Sequence, residues 1–304
     1  MSIKKYCIVI PIWKKELDCV EEISLKRLRK VLIDDKMNVG VWHEFEDYSE
    51  VYLVCPKGLD TSKYEEIYNV GDNKIDLKKK EYDPEYFKST ATYSQLCISY
   101  DFYKDFDEYE YMLIYQLDCY LFRDEILAWC DKGYDYIGGP ILSTDCGWDT
   151  VKKSRNGEEE WQPFVGNGGL SLRKIETFKE ITDPEGELRK RYNLTDEVLK
   201  KVIFEDKYFC NDLYNLYELY IPNWREALRF AFDMSVDIIY NYLHFEGTPM
   251  GIHSVDKNIR WWKKVIPEFS DQKVIDYCEN KHKEFFKIYY DENDSTLRVK
   301  KKDE

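Results

Sequence analysis

The stretch YMLIYQLDCYLF, from Tyr111 to Phe122, decides the fold prediction because it places a polar pair inside a buried run. Its residues are apolar or aromatic except for Gln116 and Asp118, which lie two positions apart. A continuous run of this length is typical of a strand that is covered on both faces of a parallel sheet. We therefore predict a central strand here, with the carboxylate of Asp118 toward its carboxyl end.

The regions before this stretch alternate between strand and helix patterns. Apolar, β-branched runs predict strands at 6–13 and 50–56, and apolar residues at helical spacing predict helices at 17–32 and 92–106. Alternation at this spacing predicts an α/β fold with a mostly parallel sheet flanked by helices. Ligands of such sheets bind beyond the carboxyl ends of the strands.

The pattern after the central strand is more broken, and we predict two regions for the whole sequence. The first, 1–255, is the α/β domain, and the second, 256–304, is a C-terminal helical extension with charged helical patterns. The further elements predicted in the first region are a helix (122–130), a strand with a glycine corner (134–142), a polar loop (143–157), a glycine turn into a short strand (166–174) and a helix (205–220).

Composition limits the classes of function. The chain has 304 residues, of which 43% are apolar, so it can bury a sizeable core. Its 45 basic and 59 acidic side chains give a net charge of −14, which repels phosphate backbones and argues against nucleic-acid binding. The aromatic share of 16% suits surfaces that hold sugars or bases as well as an ordinary core.

The cysteines and apolar segments indicate the compartment. Nine cysteines without a C-x-x-C pair suggest neither a disulfide framework nor a zinc site, so we expect a reducing, cytoplasmic environment. No apolar run approaches the roughly 20 residues that span a bilayer. The segment WWKK (261–264) fits either a membrane-interface anchor or tryptophans that pack a C-terminal helix on the core. A peripheral contact at the inner face of the membrane therefore stays open.

Several polar residues are candidates for chemistry, each with an ordinary structural alternative. In a strand, Gln116 and Asp118 would point to the same side, where they could hold a divalent cation or a ribose hydroxyl. Alternatively, Asp118 is a strand-end acid satisfied by a helix cap. Glu205 and Asp206 begin a predicted helix, where acids are common because of the helix dipole, but one of them could act as a general base.

Glycines and a histidine complete the set of candidates. The stretch GNGGLSLR, from Gly166 to Arg173, has three glycines that permit positive φ and let another molecule approach the backbone, although a plain hairpin is the alternative. His253 lies in the Gly/Pro-containing segment GTPMGIHSV and not on an apolar helical face. A lone histidine of this kind is either structural, exposed or a ligand.

In their order along the sequence, these pieces resemble a family of glycosyltransferases with the GT-A fold. The likeness covers about residues 5–255 and is carried by IVIPIWK, YQLDCYLF, YDYIGGPI, GNGGLSLRK, EDKYF and PMGIHS. In that fold a D-x-D motif near the middle of the sequence binds the nucleotide-sugar diphosphate through Mn²⁺ or Mg²⁺. A glycine-rich segment lines the sugar and acceptor site, an acid of an "ED" pair is the base of inverting enzymes, and a late histidine completes the metal site.

The resemblance implies a role for individual residues of this protein. Asp206 corresponds to the catalytic base, with Glu205 beside it as the second catalytic candidate, and Asp118 and His253 correspond to metal ligands. The residues implied in donor binding are Pro11, Gln116, Asp118, Asn167, Gly168 and Gly169. Gln116 replaces the first acid of D-x-D, and a neutral amide is a weaker ligand for Mn²⁺ or Mg²⁺ than a carboxylate.

The function that the resemblance implies is the transfer of a hexose from a nucleotide-sugar donor, a UDP-sugar, to a hydroxyl acceptor with inversion. The acceptor would be a glycan, a lipid-linked sugar or a protein, in the synthesis of cell-surface polysaccharide. A non-catalytic sugar-binding module is the alternative. A nucleotidyltransferase is disfavoured because IPIWKKELD, after the first strand, has no glycine to hold a triphosphate.

Overall fold

The computed structural model of the protein describes residues 3–34, 50–69, 77–142, 151–153, 159–161, 164–213, 218–241, 243–291 and 294–297. The strands are β1 (Lys4–Pro11), β2 (Glu50–Pro56), β3 (Lys78–Tyr82), β4 (Tyr109–Tyr115), β5 (Tyr120–Leu121), β6 (Tyr136–Gly138), β7 (Pro140–Ile141), β8 (Val151–Lys153), β9 (Glu159–Trp161), β10 (Phe164–Val165), β11 (Leu170–Lys174), β12 (Ala231–Phe232), β13 (Gly251–Ile252), β14 (Tyr290–Asp291) and β15 (Asp294–Leu297). The α-helices are α1 (Cys19–Arg29), α2 (Ser62–Tyr68), α3 (Thr90–Cys97), α4 (Tyr100–Lys104), α5 (Ile126–Cys130), α6 (Ile175–Thr182), α7 (Glu187–Arg191), α8 (Asp196–Leu199), α9 (Glu205–Lys207), α10 (Trp224–Phe230), α11 (Val236–Asn241), α12 (Ile259–Trp262), α13 (Gln272–Lys281) and α14 (Lys283–Tyr289).

A six-stranded sheet forms the centre of the fold, in the order β3-β2-β1-β4-β11-β6. The first four of these strands are parallel, and β11 is antiparallel to both of its neighbours. Helices flank the sheet, so the predicted α/β class with a mostly parallel sheet is confirmed. Both faces of the sheet are covered, which explains why β1 and β4 read as continuous apolar runs.

The strand order creates a crevice at the carboxyl edge between β1 and β4. The chain leaves β1 toward β2 on one side, while β4 lies on the other side of β1. At such a switch point the connections diverge, and the open space between them is where α/β proteins bind ligands. Val9 pairs with Ile114, so Pro11, the last residue of β1, reaches the level of Gln116.

The prediction that Gln116 and Asp118 lie within the central strand is wrong, because β4 ends at Tyr115. The backbone N–H of Gln116 donates to the carbonyl of Gly169 (2.9 Å), and the N–H of Cys119 donates to the carbonyl of Gln116 (3.0 Å). The second bond closes a turn directly beyond the strand, and the first joins this turn to the residues before β11. The polar pair therefore occupies the crevice edge and not the interior of the sheet.

Other predicted elements also differ in extent. The helix predicted at 92–106 is two helices, α3 and α4, because the Ser99 hydroxyl accepts a hydrogen bond from the Phe102 N–H and begins a new helix.

The segments predicted after the central strand differ as well. The loop predicted at 143–157 contains β8, which pairs with β9; 143–150 and 154–158 lie outside the described residues. The helix predicted at 205–220 is the short α9 followed by a π-helical turn, Tyr208–Asp212, and 214–217 are not described. The helix predicted at 122–130 is confined to α5.

The C-terminal region packs on a third hydrophobic cluster beside the crevice. Trp262 is fully buried there and contacts the rings of Phe122 and Phe232. Trp261 stacks on Tyr240 with the ring centroids 5.2 Å apart. The WWKK segment therefore packs α12 on the core, as one of the two interpretations predicted. In the described part of the protein, no helix has both the length and the apolar character of a membrane span.

Candidate active site

Three side chains converge in the crevice beyond β4. The Nε2 atom of His253 lies 3.2 Å from Oδ1 of Asp118 and 3.2 Å from Oε1 of Gln116. The histidine is largely buried, whereas the Asp118 side chain is 27% exposed and so remains open to a ligand. The structure thus brings together the predicted metal ligands, Asp118 and His253, with the predicted donor-binding Gln116.

A small second sheet places the histidine. Strand β13 pairs with β12 on one side and with β5 on the other, with Ile252 beside Phe232 and Tyr120. Since β5 directly follows the turn that carries Asp118, this pairing brings the residue after β13, His253, to the end of β4. The carbonyl of Asp118 accepts a further hydrogen bond from the N–H of Val255 (3.0 Å), which fixes the two loops together.

The other ring nitrogen of His253 is held by a buried acid that the sequence analysis missed. Nδ1 lies 2.9 Å from Oδ1 of Asp233, whose side chain is 8% exposed. Although burial opposes it, the hydrogen bond from His253 lowers the pKa of the Asp233 carboxyl. An anionic acceptor at Nδ1 directs Nε2 toward the other two side chains, which is the arrangement of metal-binding histidines. The sequence does contain one signal for Asp233. This acid directly follows the apolar run FAF (230–232), just as Asp118 follows an apolar run.

The donor set fits a divalent cation. Burial lowers the pKa of His253, but the negative charges of Asp118 and Asp233 outweigh it and raise the pKa to about 10. The raised pKa shows that the surroundings of Nε2, which include the oxygens of Asp118 and Gln116, stabilise a positive charge. The same surroundings suit either a proton on Nε2 or a metal cation beside it. Carboxylate and amide-carbonyl oxygens are ligands that suit Mn²⁺ and Mg²⁺, and the imidazole of His253 would add a nitrogen donor on losing its proton.

A cysteine lies close to the same cluster. Ligand atoms of Asp118, Cys119 and His253 lie within 4.8 Å of one another. The thiol of Cys119 donates to the carbonyl of Gly169 (3.3 Å), and burial raises its pKa well above the usual range. Because metals bind the thiolate and not the thiol, a cation at this place would be held by the oxygen and imidazole donors.

The glycine-rich loop is explained by close approach and not by positive φ. Among the described glycines, positive φ occurs at Gly58, Gly133 and Gly247, so the positive φ that glycines permit is not used in GNGG. A Cβ atom on Gly169 would lie 2.1 Å from Nε2 of His253. A Cβ atom on Gly168 would lie 2.8 Å from Oε1 of Glu205 and 3.2 Å from Oδ2 of Asp206.

Asn167 and Pro11 occupy supporting positions. The Asn167 carbonyl oxygen Oδ1 accepts hydrogen bonds from the N–H groups of Gly169 (3.0 Å) and Leu170 (3.4 Å), so this oxygen holds the loop itself. Pro11 is buried at the carboxyl end of β1, level with Gln116. Both residues lie at the crevice edge, and their roles in donor binding stay predictions.

Glu205 is engaged in a buried ion pair. Its Oε1 lies 2.8 Å from Nη2 of Arg173, whose side chain is fully buried, and its Oε2 accepts a hydrogen bond from Ser94 (2.9 Å). Arg173 also donates to the hydroxyls of Tyr103 (3.1 Å) and Ser171 (3.2 Å). This network uses the carboxylate of Glu205 to satisfy a buried cation, so Glu205 is poorly placed to exchange protons with a substrate.

Asp206 has a different environment from its neighbour. Its Oδ2 accepts a hydrogen bond from the N–H of Gly168 (2.9 Å), and its Oδ1 accepts one from the N–H of Lys207 (2.7 Å). Burial raises the pKa of the Asp206 carboxyl, and the nearby charge of Glu205 raises it further, to about 8. A carboxyl that is held by backbone N–H groups and has a pKa near neutrality has the properties of a general base.

Two consecutive glycines thus separate two chemically different groups of side chains. Gly169 contacts the His253 ring, and Gly168 contacts the acid pair. Adjacent Cα atoms are about 3.8 Å apart, so the candidate cation site and Asp206 lie against neighbouring residues of one loop. The arrangement can hold an anionic ligand through a cation on one side and move a proton at Asp206 on the other.

A family profile described as a protein of unknown function, DUF5672, matches residues 76–253, more than half of the sequence. The protein belongs to the DUF5672 family. The matched region extends from just before β3 to His253, so it includes the polar turn, the glycine loop, the acid pair and the histidine. A comparison with curated protein sequences finds no significant match.

Solved structures show which fold this DUF5672 member has. The galactosyltransferase LgtC, solved with donor and acceptor sugar analogues, matches with a TM-score of 0.50 and 11% identity over 91% of this protein and 99% of LgtC. Mouse xyloside xylosyltransferase 1 matches with a TM-score of 0.49 and 11% identity over 82% of this protein and 97% of that enzyme. GlyE from Streptococcus pneumoniae matches with a TM-score of 0.48 and 14% identity over 92% of this protein and 64% of GlyE. The likeness to LgtC shows the GT-A fold for this protein.

We predict that Gly169→Ala disrupts cation binding without unfolding the protein. The added methyl group would occupy the position of the His253 ring, which must move away from Asp118. Mn²⁺ affinity, measured by the loss of the free-ion signal in electron paramagnetic resonance, should fall by at least tenfold relative to wild type. Asp233→Asn should lower it by about 10–100-fold, as expected for a residue that orients a ligand. Unchanged affinity in both variants would contradict the assignment of this cluster.

Proposed function

We propose that the protein is a glycosyltransferase that moves a sugar from a nucleotide-sugar donor to a hydroxyl acceptor. The observation that carries the proposal is the pair of glycines, with a cation-type cluster against Gly169 and an acid with raised pKa against Gly168. Sugar transfer needs these two parts: one to hold an anionic leaving group, the other to remove a proton from the acceptor. They occupy the crevice of a GT-A fold, which also supports the proposal.

The donor side of the reaction lies at the turn after β4. Asp118, Gln116 and His253 would hold Mn²⁺ or Mg²⁺, and the cation would neutralise the diphosphate that leaves with the nucleotide. Asp233 keeps Nδ1 of His253 occupied, so that Nε2 stays directed at the ligand position. Pro11, Asn167, Gly168 and Gly169 border this side and complete the proposed donor site.

The acceptor side lies at Asp206. In its ionised form Asp206 would accept the proton of the acceptor hydroxyl while that oxygen attacks the anomeric carbon from the face opposite the leaving group. Attack in line inverts the anomeric configuration. Glu205 contributes its charge and the ion pair with Arg173, which holds the start of α9 against β11. The proposed catalytic residue is therefore Asp206, with Glu205 in a positioning role.

The finer parts of the proposal rest on the sequence resemblance. They are a UDP-sugar donor, a hexose as the transferred sugar, and a glycan, lipid-linked or protein acceptor in cell-surface polysaccharide synthesis. A cytoplasmic location is proposed from the cysteines, and peripheral contact at the inner face of the membrane stays a prediction. Nuclear magnetic resonance of the product tests inversion, because a new bond with the donor's own configuration would contradict it.

We predict that Asp206→Asn separates binding from transfer. The variant keeps the shape of the side chain and one acceptor oxygen for Gly168, but it removes the base. Affinity for UDP with Mn²⁺ should stay within about threefold of wild type, while the transfer rate should fall by roughly 10²–10⁴-fold, the range for loss of general-base catalysis.

The matched control for this experiment is Asp212→Asn, at the end of the following π-helical turn. It should leave both measurements unchanged. Full activity in Asp206→Asn would remove this residue from the mechanism. A wild-type protein that binds nucleotide sugars without transfer or donor hydrolysis would favour a sugar-binding module.

The pH dependence of transfer follows from the raised pKa of Asp206. The base must be ionised, so the rate should rise with pH and reach half of its maximum near pH 8. Glu205→Gln removes a negative charge beside Asp206 and should move the midpoint to lower pH. The measurement is the rate under saturating donor from about pH 5.5 to about pH 9.5, a range that brackets the expected midpoint. An identical midpoint in the wild type and in Glu205→Gln would show that the charge of Glu205 does not set the pKa of Asp206.

A further inference from the structure

Two buried serines beside the candidate cation site have a left-handed backbone. Ser235 (φ 63°) comes two positions after Asp233, and Ser254 (φ 52°) directly follows His253. The other described residues with positive φ, glycines apart, are exposed, and they are Asn193, Glu218 and His244. Glycine adopts this conformation at no steric cost, whereas serine does not. Backbone strain that is retained in a buried site indicates a function for the strained residue.

The conformation of Ser254 turns the chain between two neighbouring strands. The N–H of His253 donates to the carbonyl of Phe232 on β12 (2.8 Å), and the N–H of Val255 donates to the carbonyl of Asp118, before β5 (3.0 Å). Strands β12 and β5 lie on opposite sides of β13. In an extended strand, N–H groups two positions apart point to the same neighbour. The left-handed residue therefore rotates the second N–H toward Asp118, the residue that the imidazole also reaches.

The hydroxyl of Ser254 contacts the pair that orients the imidazole. Its Oγ lies 3.2 Å from Nδ1 of His253, the same nitrogen that lies 2.9 Å from Oδ1 of Asp233. Although burial opposes it, hydrogen bonds from His253 and from Ser254 lower the pKa of the Asp233 carboxyl. A hydroxyl can donate to a carboxylate and accept from a ring N–H at the same time. The serine thus adds a second contact to each member of the pair.

A buried asparagine fixes the backbone around this serine. The side-chain amide of Asn258 donates to the carbonyls of Asp233 (3.1 Å) and Ser254 (3.2 Å). Moving either carbonyl away would leave a buried polar group without its partner, which is costly. The surrounding structure therefore determines the left-handed conformation, as is required wherever a strained backbone persists.

We propose that Ser254 is a positioning residue of the candidate cation site. Its hydroxyl holds the imidazole of His253 against Asp233, and its left-handed backbone brings both this imidazole and the next N–H to Asp118. A glycine would meet the backbone requirement at a lower cost, so the serine at this position indicates a role for the hydroxyl. The use of the cation in sugar transfer rests on the proposed function, whereas the contacts of Ser254 do not depend on a bound ion.

The variants Ser254→Ala and Ser254→Gly separate the two roles. Both remove the hydroxyl, so both should lower the Mn²⁺ affinity, measured by electron paramagnetic resonance, by about 10–100-fold, as expected for a group that orients a ligand. Glycine also relieves the strain, so the Tm of Ser254→Gly should lie above that of Ser254→Ala. A role in stability alone would not weaken Mn²⁺ binding in the more stable of the two variants.

The matched control is Ser235→Gly, at the other buried serine with a left-handed backbone. In the described part of the protein, no hydrogen bond engages the Ser235 hydroxyl. The substitution relieves the same kind of strain without removing such a contact. It should leave the Mn²⁺ affinity within about twofold of wild type and should not lower the Tm.

Nuclear magnetic resonance of the metal-free protein tests the hydroxyl contact without an ion. The proton on Nδ1 of His253 should give a slowly exchanging signal in the wild type, because Asp233 and Ser254 shield it from water. In Ser254→Ala it should exchange with water about tenfold faster or more, and in Ser235→Gly it should exchange as in the wild type. An unchanged exchange rate in Ser254→Ala would overturn the proposed contact.

The outcomes separate this inference from the proposed function. Equal Mn²⁺ affinity in the wild type, Ser254→Ala and Ser254→Gly would overturn the positioning role and leave the transferase proposal standing. A Tm of Ser254→Gly at or below that of Ser254→Ala would overturn the argument from strain. If the Ser254 variants weaken Mn²⁺ binding as expected but the wild type transfers no sugar from any nucleotide sugar, the proposed function fails and the positioning role stands.

Discussion

The contact between the His253 ring and the backbone of Gly169 is the constraint on which the candidate site depends. A Cβ atom at this position would come within 2.1 Å of Nε2, so the ring can occupy its place only because position 169 is a glycine. The same loop carries Gly168, against which the acid pair lies. One short segment therefore sets the distance between the cation cluster and the candidate base.

The central sheet supplies the rigid frame for this contact. The backbone N–H of Gln116 donates to the carbonyl of Gly169, which joins the end of β4 to the loop before β11. Below the loop, the Arg173–Glu205 ion pair joins β11 to α9. Breaking one partner of such a buried pair leaves an uncompensated charge and is strongly destabilising. These buried polar contacts fix the geometry of the site more than they raise the overall stability of the fold.

Much of the fold could be predicted from local patterns, but the site could be predicted only in part. Continuous apolar runs identify β1, β2 and β4, because strands covered on both faces have few polar positions. Asp118 stands out as a polar group in such a run, whereas Asp206 stands at the start of a predicted helix and His253 in a Gly/Pro-containing segment. Asp233 was missed because its role exists only through a pairing of β12 with β13, which local sequence does not encode. The functions of Gly168 and Gly169 depend on which side chains approach them from distant elements; the sequence suggested positive φ and the approach of another molecule, and the structure shows close approach by side chains of the protein itself.

The central claim is that the cluster around Asp118 binds a nucleoside diphosphate together with a divalent cation. Its most direct test is the thermal unfolding of the wild type and Asp118→Ala with UDP, GDP and nucleotide sugars, with and without Mn²⁺; Asp131→Ala, an exposed acid elsewhere, is the control. A ligand at about a hundred times its Kd stabilises the native state by about 2.7 kcal/mol. The account predicts that a nucleotide with Mn²⁺ raises the Tm of the wild type and the control by several degrees and leaves Asp118→Ala unchanged. An equal rise in Asp118→Ala, or no rise in the wild type with any nucleotide, would contradict it.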